Sequence, residues 1–254
     1  MNVYFSILFF ILGTIFGSFY NVVGYRLPRG ESLLFPSSHC TNCNHKLGPL
    51  ELIPVFSYIF QGGKCKHCKS KISLFYPLFE FFSGLMFMIS YLIFGLSLNC
   101  LLSITFISMI LIIIISDYQY MIINDSVLIV FSILIVLELF FINGLKATGI
   151  SIINGVLSFV LMYLIKLLGD LLFKRESMGG GDIKLLFVFG LVLGFPLSII
   201  SIFLASIIAL PISIILLKKN TSHEVPFGPY LGIAAIIIFL SRIDISFISS
   251  ILTF

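Results

Sequence analysis

The side chains able to do chemistry in this sequence fall into two groups: a pair of aspartates and a set of four cysteines. Asp117 closes the apolar run Leu111–Ser116, and Asp182 follows Gly179-Gly180-Gly181 at the predicted opening of another apolar helix. A carboxylate beside hydrocarbon is expensive and is read first as functional. Amide hydrolysis without a metal or a covalent nucleophile needs one carboxylate to activate water and a second, protonated one to polarise the carbonyl. Two carboxyls in one site divide one proton, because like charges that close cannot both ionise cheaply. The glycines before Asp182 are expected to admit a substrate strand close to the backbone and to supply positive φ. The competing reading makes both acids ordinary interfacial carboxylates at helix ends.

The cysteines form two pairs, Cys40-Thr41-Asn42-Cys43 and Cys65-Lys66-His67-Cys68. Each pair puts two thiolates on one tight knuckle, and two knuckles make a tetrahedral four-sulfur site suited to zinc. The loop has few aliphatic residues for a core of its own, so metal binding is expected to supply much of its folding energy. Redox chemistry is the alternative, but the strand–helix context of a redox CxxC is missing. With four thiolates closing the site, His39, His45 and His67 read as solvated loop residues. Gly63, just ahead of the second pair, is a candidate for a ligand's approach to the backbone or else a plain turn glycine. Cys100, the fifth cysteine, reads as packing.

The elements that must position these groups are membrane helices. Of 254 residues, 59% are hydrophobic and 10% charged, against about 25% charged in a soluble domain. The fold class is all-α and polytopic, with about eight transmembrane helices and a small zinc-binding cytoplasmic loop domain. Spans are expected near 3–25, 75–94, 99–116, 126–142, 149–168, a short one from 185, a longer one to 217, and a last one starting near Val225. The expected division is a first helix at 1–25, a cysteine loop at 26–73, and a membrane domain at 74–254. No internal repeat is visible. The N-terminus lacks a basic region and a cleavage site, so it reads as an uncleaved anchor.

All 15 basic residues except Lys146 and Arg242 fall in loops on one side. The positive-inside rule makes that side cytoplasmic and puts the cysteine loop, Asp117 and Asp182 there. Basic residues distributed in this way signal topology and no nucleic-acid partner. Asp125, ahead of an apolar run, reads as a helix N-cap. Glu138 and Lys166, inside predicted spans, read as paired or snorkelling residues.

Taken in order, the motifs resemble a known family, the bacterial type IV prepilin peptidases, bifunctional leader peptidase/N-methyltransferases of the GxGD aspartic protease group. The resemblance runs from Gly17-Ser18-Phe19-Tyr20-Asn21-Val22 and Arg26-Leu27-Pro28 through both CxxC pairs, Ile53-Pro54 and Tyr76-Pro77-Leu78-Phe79-Glu80. It continues through Asp117, Gly179–Lys184 and Pro226-Phe227-Gly228-Pro229-Tyr230-Leu231. It implies Asp117 and Asp182 as catalytic, Gly179, Gly181 and Lys184 as supports of the catalytic loop, and Cys40, Cys43, Cys65 and Cys68 as zinc ligands tied to the methyltransferase half. It also implies a bacterial cytoplasmic-membrane location, prepilin or pseudopilin substrates, leader cleavage on the cytoplasmic side, and S-adenosylmethionine-dependent methylation of the new N-terminus. The cofactor site comes from the resemblance alone, with Gly63 the one residue singled out. Asn124-Asp125 departs from the family's Pro-Asp, and asparagine still starts a helix. The alternatives are a leader peptidase without methyl transfer and, from another class, a small proton-coupled transporter with a zinc regulatory loop. The sequence leaves the oligomeric state open.

Overall fold

A computed structural model describes residues 2–174, 176, 178–218 and 226–242. Among them every regular element is helical, and five helices are long and apolar enough to cross a membrane. The chain forms two compact units, Met1–Cys100 and Leu101–Phe254.

In the first unit, α1 (Val3–Arg26) packs along α3 (Phe75–Phe94) through small residues. A Cβ at Gly13 would lie 2.6 Å from the Ser83 carbonyl oxygen, and one at Gly84 would lie 2.7 Å from Thr14 Cγ2. Such contacts let two backbones approach where lipid gives no hydrophobic reason to associate. Phe9 stacks on Tyr91 with ring centroids 4.9 Å apart, closing the far end. Between these helices lie the cysteine knuckles and α2 (Phe56–Phe60).

In the second unit, α4 (Leu98–Tyr120) is the central helix: 72% of its apolar stretch is buried, against 22% for each of α5 (Asp125–Phe173) and α7 (Phe195–Lys218). Phe106 on α4 meets Phe189 of α6 (Gly180–Leu193) and Phe239 of α8 (Gly228–Leu240), with centroids 5.7 and 5.5 Å apart. Glu138 sits on α5 and accepts a 2.7 Å hydrogen bond from Thr105, so it pairs inside the bundle and does not snorkel. Cys100 is buried, as expected of a packing residue.

The 49 residues of α5 are about twice what one span needs. Gly144 interrupts them with φ 76° and ψ 173°. Leu128–Ile133 and Val156–Phe159 line the same cavity of about 560 Å³. In a straight helix these groups would stand over 30 Å apart at about 1.5 Å per residue, so α5 is a hairpin of two arms folded at one glycine. The expected loop between 142 and 149 is therefore absent, and the second arm runs on to Phe173. Gly95 (φ 64°) and Gly194 (φ 84°) make equally abrupt turns after α3 and α6. The predicted break at Gly194-Phe195-Pro196 lies there, whereas Pro211 is accommodated inside α7. The expected start of the last helix, Val225, lies outside the described residues. α6 and α8, at 14 and 13 residues, each reach only about 20 Å.

Candidate active site and metal centre

Asp117 occupies the last turn of α4 and Asp182 the first turn of α6, where the helix dipole favours negative charge. Both are buried, at 6% and 9% exposure. Ile123, in the connection to α5, is packed against both sides of the site. A Cβ on Gly181 would fall 2.7 Å from Ile123 Cβ, and one on Gly228 would fall 3.3 Å from Ile123 Cδ1 and 2.6 Å from Asp117 Oδ2. The Gly228 N–H donates to Asp117 Oδ2 at 3.0 Å and fixes one face of that carboxylate.

The triple glycine works differently from the expectation. Helix α6 starts at Gly180, two residues ahead of Asp182, and Gly179 is its extended N-cap (φ −66°, ψ 141°). None of the three has positive φ. Gly181 is small because Ile123 leaves no room for a side chain. Gly180 has nothing within 4 Å of where a Cβ would be, so no packing constraint holds it.

Asp125 is not the N-cap. Asn124 caps α5, its Oδ1 accepting the Ser126 N–H at 2.9 Å. Asp125 instead takes both arms of an ion pair with Lys184, at 2.7 and 2.8 Å. That pair ties the start of α6 to the start of α5 at an exposed rim.

The four cysteine sulfurs lie within 4.8 Å of one another, with Cys40–Cys68 at 3.8 Å and Cys43–Cys65 at 4.0 Å. Zinc–sulfur bonds of about 2.3 Å in a tetrahedron place sulfurs about 3.8 Å apart, so the spacing fits zinc and no disulfide is formed. The surroundings differ from thiol to thiol. The Ser70 hydroxyl and N–H, joined by Asn42, hold Cys68 down at about 5. The Cys43 N–H, with help from Asn42 and Ser70, lowers Cys40. At Cys43 a backbone hydrogen bond from His45 favours the thiolate, but burial and the neighbouring sulfurs outweigh it and push the thiol up to about 11. Four thiolates at this spacing need a cation among them, which is what a closed structural zinc site provides.

The two knuckles are one backbone design used twice, 25 residues apart. Cys40 N–H bonds His45 O and Cys65 N–H bonds Ser70 O, both at 2.9 Å. Asn44 and Lys69 take matching left-handed conformations, φ 55° and 58°, and the bridges His39–Lys46 and Lys64–Lys71 close both loops. The sequence reading found no repeat because the copies share little beyond the cysteines and the closing lysine. Gly63 has φ 67°, and a Cβ there would meet the Tyr58 hydroxyl at 2.8 Å, the geometry of a turn glycine. The His45 ring lies tilted by 31° against that of His67 (centroids 3.7 Å) and faces Glu51 at 3.5 Å, so neither ring is simply solvated.

Sequence reasoning passed over Ile123 and Ser70 and flagged Gly228 only through a resemblance. Close approach between distant segments leaves no local signature, and Ser70 lies two residues beyond the last ligand without any pattern of its own.

Comparison with known proteins agrees with this architecture. The profile of the bacterial peptidase A24 N-terminal domain matches residues 11–94, and that of the type IV leader peptidase family matches residues 104–214. A prepilin leader peptidase/N-methyltransferase of Bacillus subtilis is 31% identical over 234 residues, covering 91% of this chain and 92% of its own. One from Vibrio cholerae is 32% identical over 260 residues, 95% of this chain and 98% of its own. One from Pseudomonas aeruginosa is 28% identical over 252 residues, 88% and 86% of the two chains. No solved structure matches. With its two profiles in the right order and its relatives aligned over nearly their whole length, the chain belongs to the type IV leader peptidase family.

Proposed function

We propose that this membrane enzyme cleaves the leader from type IV prepilins or pseudopilins and methylates the new N-terminus. The observation that carries the peptidase half is the pair of buried carboxyls, Asp117 and Asp182, with Gly228 against Asp117 and Gly181 beside Asp182 both packed too tightly for any side chain. One carboxylate takes a proton from water as the water attacks the scissile carbonyl. The other, protonated, polarises the carbonyl oxygen and then passes its proton to the leaving amine. Gly228 N–H orients Asp117 for its part, Gly179 and Gly181 hold the start of α6 in register, and Lys184 adds an exposed tie from α6 to Asp125.

The methyltransferase half is assigned to residues 26–73, with Cys40, Cys43, Cys65 and Cys68 holding a structural zinc, and the peptidase to 74–254. S-adenosylmethionine supplies the methyl group. The chain crosses the bacterial cytoplasmic membrane eight times, with the two arms of α5 counted separately, and both sites face the cytoplasm. The distribution of Lys and Arg supports that orientation. Catalytic acids gathered at one membrane edge favour a surface protease over a proton-coupled carrier, which would need acids through the membrane depth.

Mass spectrometry of a prepilin co-expressed with this chain tests both halves, since it reports leader loss and the mass of one added methyl together. Asp117→Asn and Asp182→Asn should each abolish cleavage, a loss of about 10²–10⁴-fold or more. The double variant should be little worse, because the pair acts as a unit. Each single variant should still methylate a pre-cleaved peptide. Cleavage by either one, in inserted protein, removes the pair from the mechanism. Cleavage without methylation by the unaltered chain leaves a leader peptidase alone.

A further inference from the structure

The cysteine loop is polar at its knuckles but not between them. Across Pro49–Phe60 the large apolar side chains turn outward: Phe60 is 85% exposed, Leu50 78%, Ile59 63% and Phe56 57%. In water such a patch would be a liability for a loop that also has to carry a metal site.

Three contacts fix the depth of this segment relative to α1. Val55 N–H donates to Glu80 Oε2 on α3 at 2.7 Å. Glu80 lies against Gly17, since a Cβ at Gly17 would be 2.9 Å from Glu80 Cα. Pro49 and Leu52–Phe56 share a cavity of about 560 Å³ with Phe10, Ile11, Thr14, Ile15 and Ser18 of α1. Gly17 stands nine residues from Arg26, the charged end of α1, or about 13 Å below it at about 1.5 Å per residue. At that level α1 itself turns apolar side chains outward, with Ile15 52%, Phe16 47% and Phe19 50% exposed. The medium around Val55 is therefore the medium around mid-α1.

We propose that Pro49–Phe60 is a re-entrant segment that dips into the bilayer leaflet on the knuckle side, with lipid acyl chains covering Leu50, Phe56, Ile59 and Phe60. Irregular backbone at membrane depth persists only where protein satisfies it or where it lines a cavity. Here both conditions hold: Glu80 takes the Val55 N–H, and the same residues wall the cavity. Val55 adopts φ 62° and ψ −52°, a conformation that a β-branched residue keeps only when its surroundings impose it. Glu80 and the bilayer are what impose it. The knuckles on either side carry exposed Lys46, Lys64, Lys66, Lys69 and Lys71, placed to meet anionic headgroups. The arrangement holds the zinc knuckles at the membrane surface.

The chain has no tryptophan, so one introduced Trp reports its own surroundings. Phe60→Trp, Phe56→Trp and, as the knuckle control, Lys46→Trp are compared as full-length, zinc-containing protein in nanodiscs of mixed anionic and zwitterionic lipid. The first two should emit to the blue of the control, lose most of their fluorescence to lipids brominated on the acyl chain, and resist aqueous iodide. Lys46→Trp should show the reverse. Iodide quenching of Phe60→Trp and Phe56→Trp equal to that of the control overturns the proposal. Protection of both from both quenchers also overturns it, since protein and not lipid would then cover the segment.

Discussion

Alanine at Gly181 and alanine at Gly180 should have opposite effects although the residues are neighbours in one glycine run. At Gly181 the new methyl would stand 2.7 Å from Ile123 Cβ, where carbon atoms rest at about 3.5–4.0 Å. Something must move by about 1 Å. Overpacking on that scale costs about 1–3 kcal/mol, and the backbone that yields is the one carrying Asp182. A shift of about 1 Å in a catalytic group lowers rates by about 10²-fold. At Gly180, the first residue of α6, the methyl meets nothing within 4 Å, and alanine in place of glycine at a backbone conformation it can adopt stabilises by about 0.4–1 kcal/mol through the unfolded chain. Gly180→Ala should therefore cleave normally and unfold at a higher temperature. The assay is leader cleavage of a purified prepilin in proteoliposomes, with thermal unfolding of the same samples. Wild-type cleavage by Gly181→Ala, or equal losses in both variants, would refute the packing argument and return the run to a role in substrate approach.

Gly228→Ala places a methyl 2.6 Å from Asp117 Oδ2 and displaces the N–H bonded to it. A hydrogen bond to a charged group is worth about 1.5–3 kcal/mol, so cleavage should fall by about 10–100-fold while methylation of a pre-cleaved peptide, read by mass spectrometry, is kept. Cys68→Ser removes the thiol held at about 5; metal analysis should drop from about one zinc per chain to none. Asp125→Asn breaks only an exposed pair with Lys184, worth about 0–1 kcal/mol, and should leave cleavage and melting nearly unchanged. Asn124→Ala removes the true cap and should cost about 1 kcal/mol in unfolding experiments.

The sequence disclosed what hydrocarbon length and local contrast can disclose. The span at 75–94 and the break at Gly194 follow from apolar runs and a Gly-Phe-Pro interruption. Asp117, Asp182 and the four cysteines stand out because each is a costly or patterned residue in its setting. What stayed hidden depends on partners far away in the chain. The smallness of Gly181 and Gly228 answers to Ile123 and Asp117. Asp125 looks like a cap until Lys184, 59 positions on, is seen to claim it. The two arms of α5 were expected as two spans, but a loop was expected between them because the sequence does not show that one glycine of positive φ can do the work of several turn residues. The doubled knuckle was invisible because backbone geometry, and not side-chain identity, is what repeats.

The turns at Gly95, Gly144 and Gly194 bear on how this enzyme meets its surroundings. On the eight-crossing topology proposed above, chain order assigns all three to one membrane face, and each turn is built on a single glycine of positive φ. At these three corners the described chain offers almost no loop. A protease, an antibody or a regulatory protein reaching these corners would find hardly any chain to grip, and an epitope tag inserted there would have to break a helix to enter. On the topology proposed above, a substrate that is itself a membrane helix reaches this enzyme from the knuckle side or sideways through the lipid.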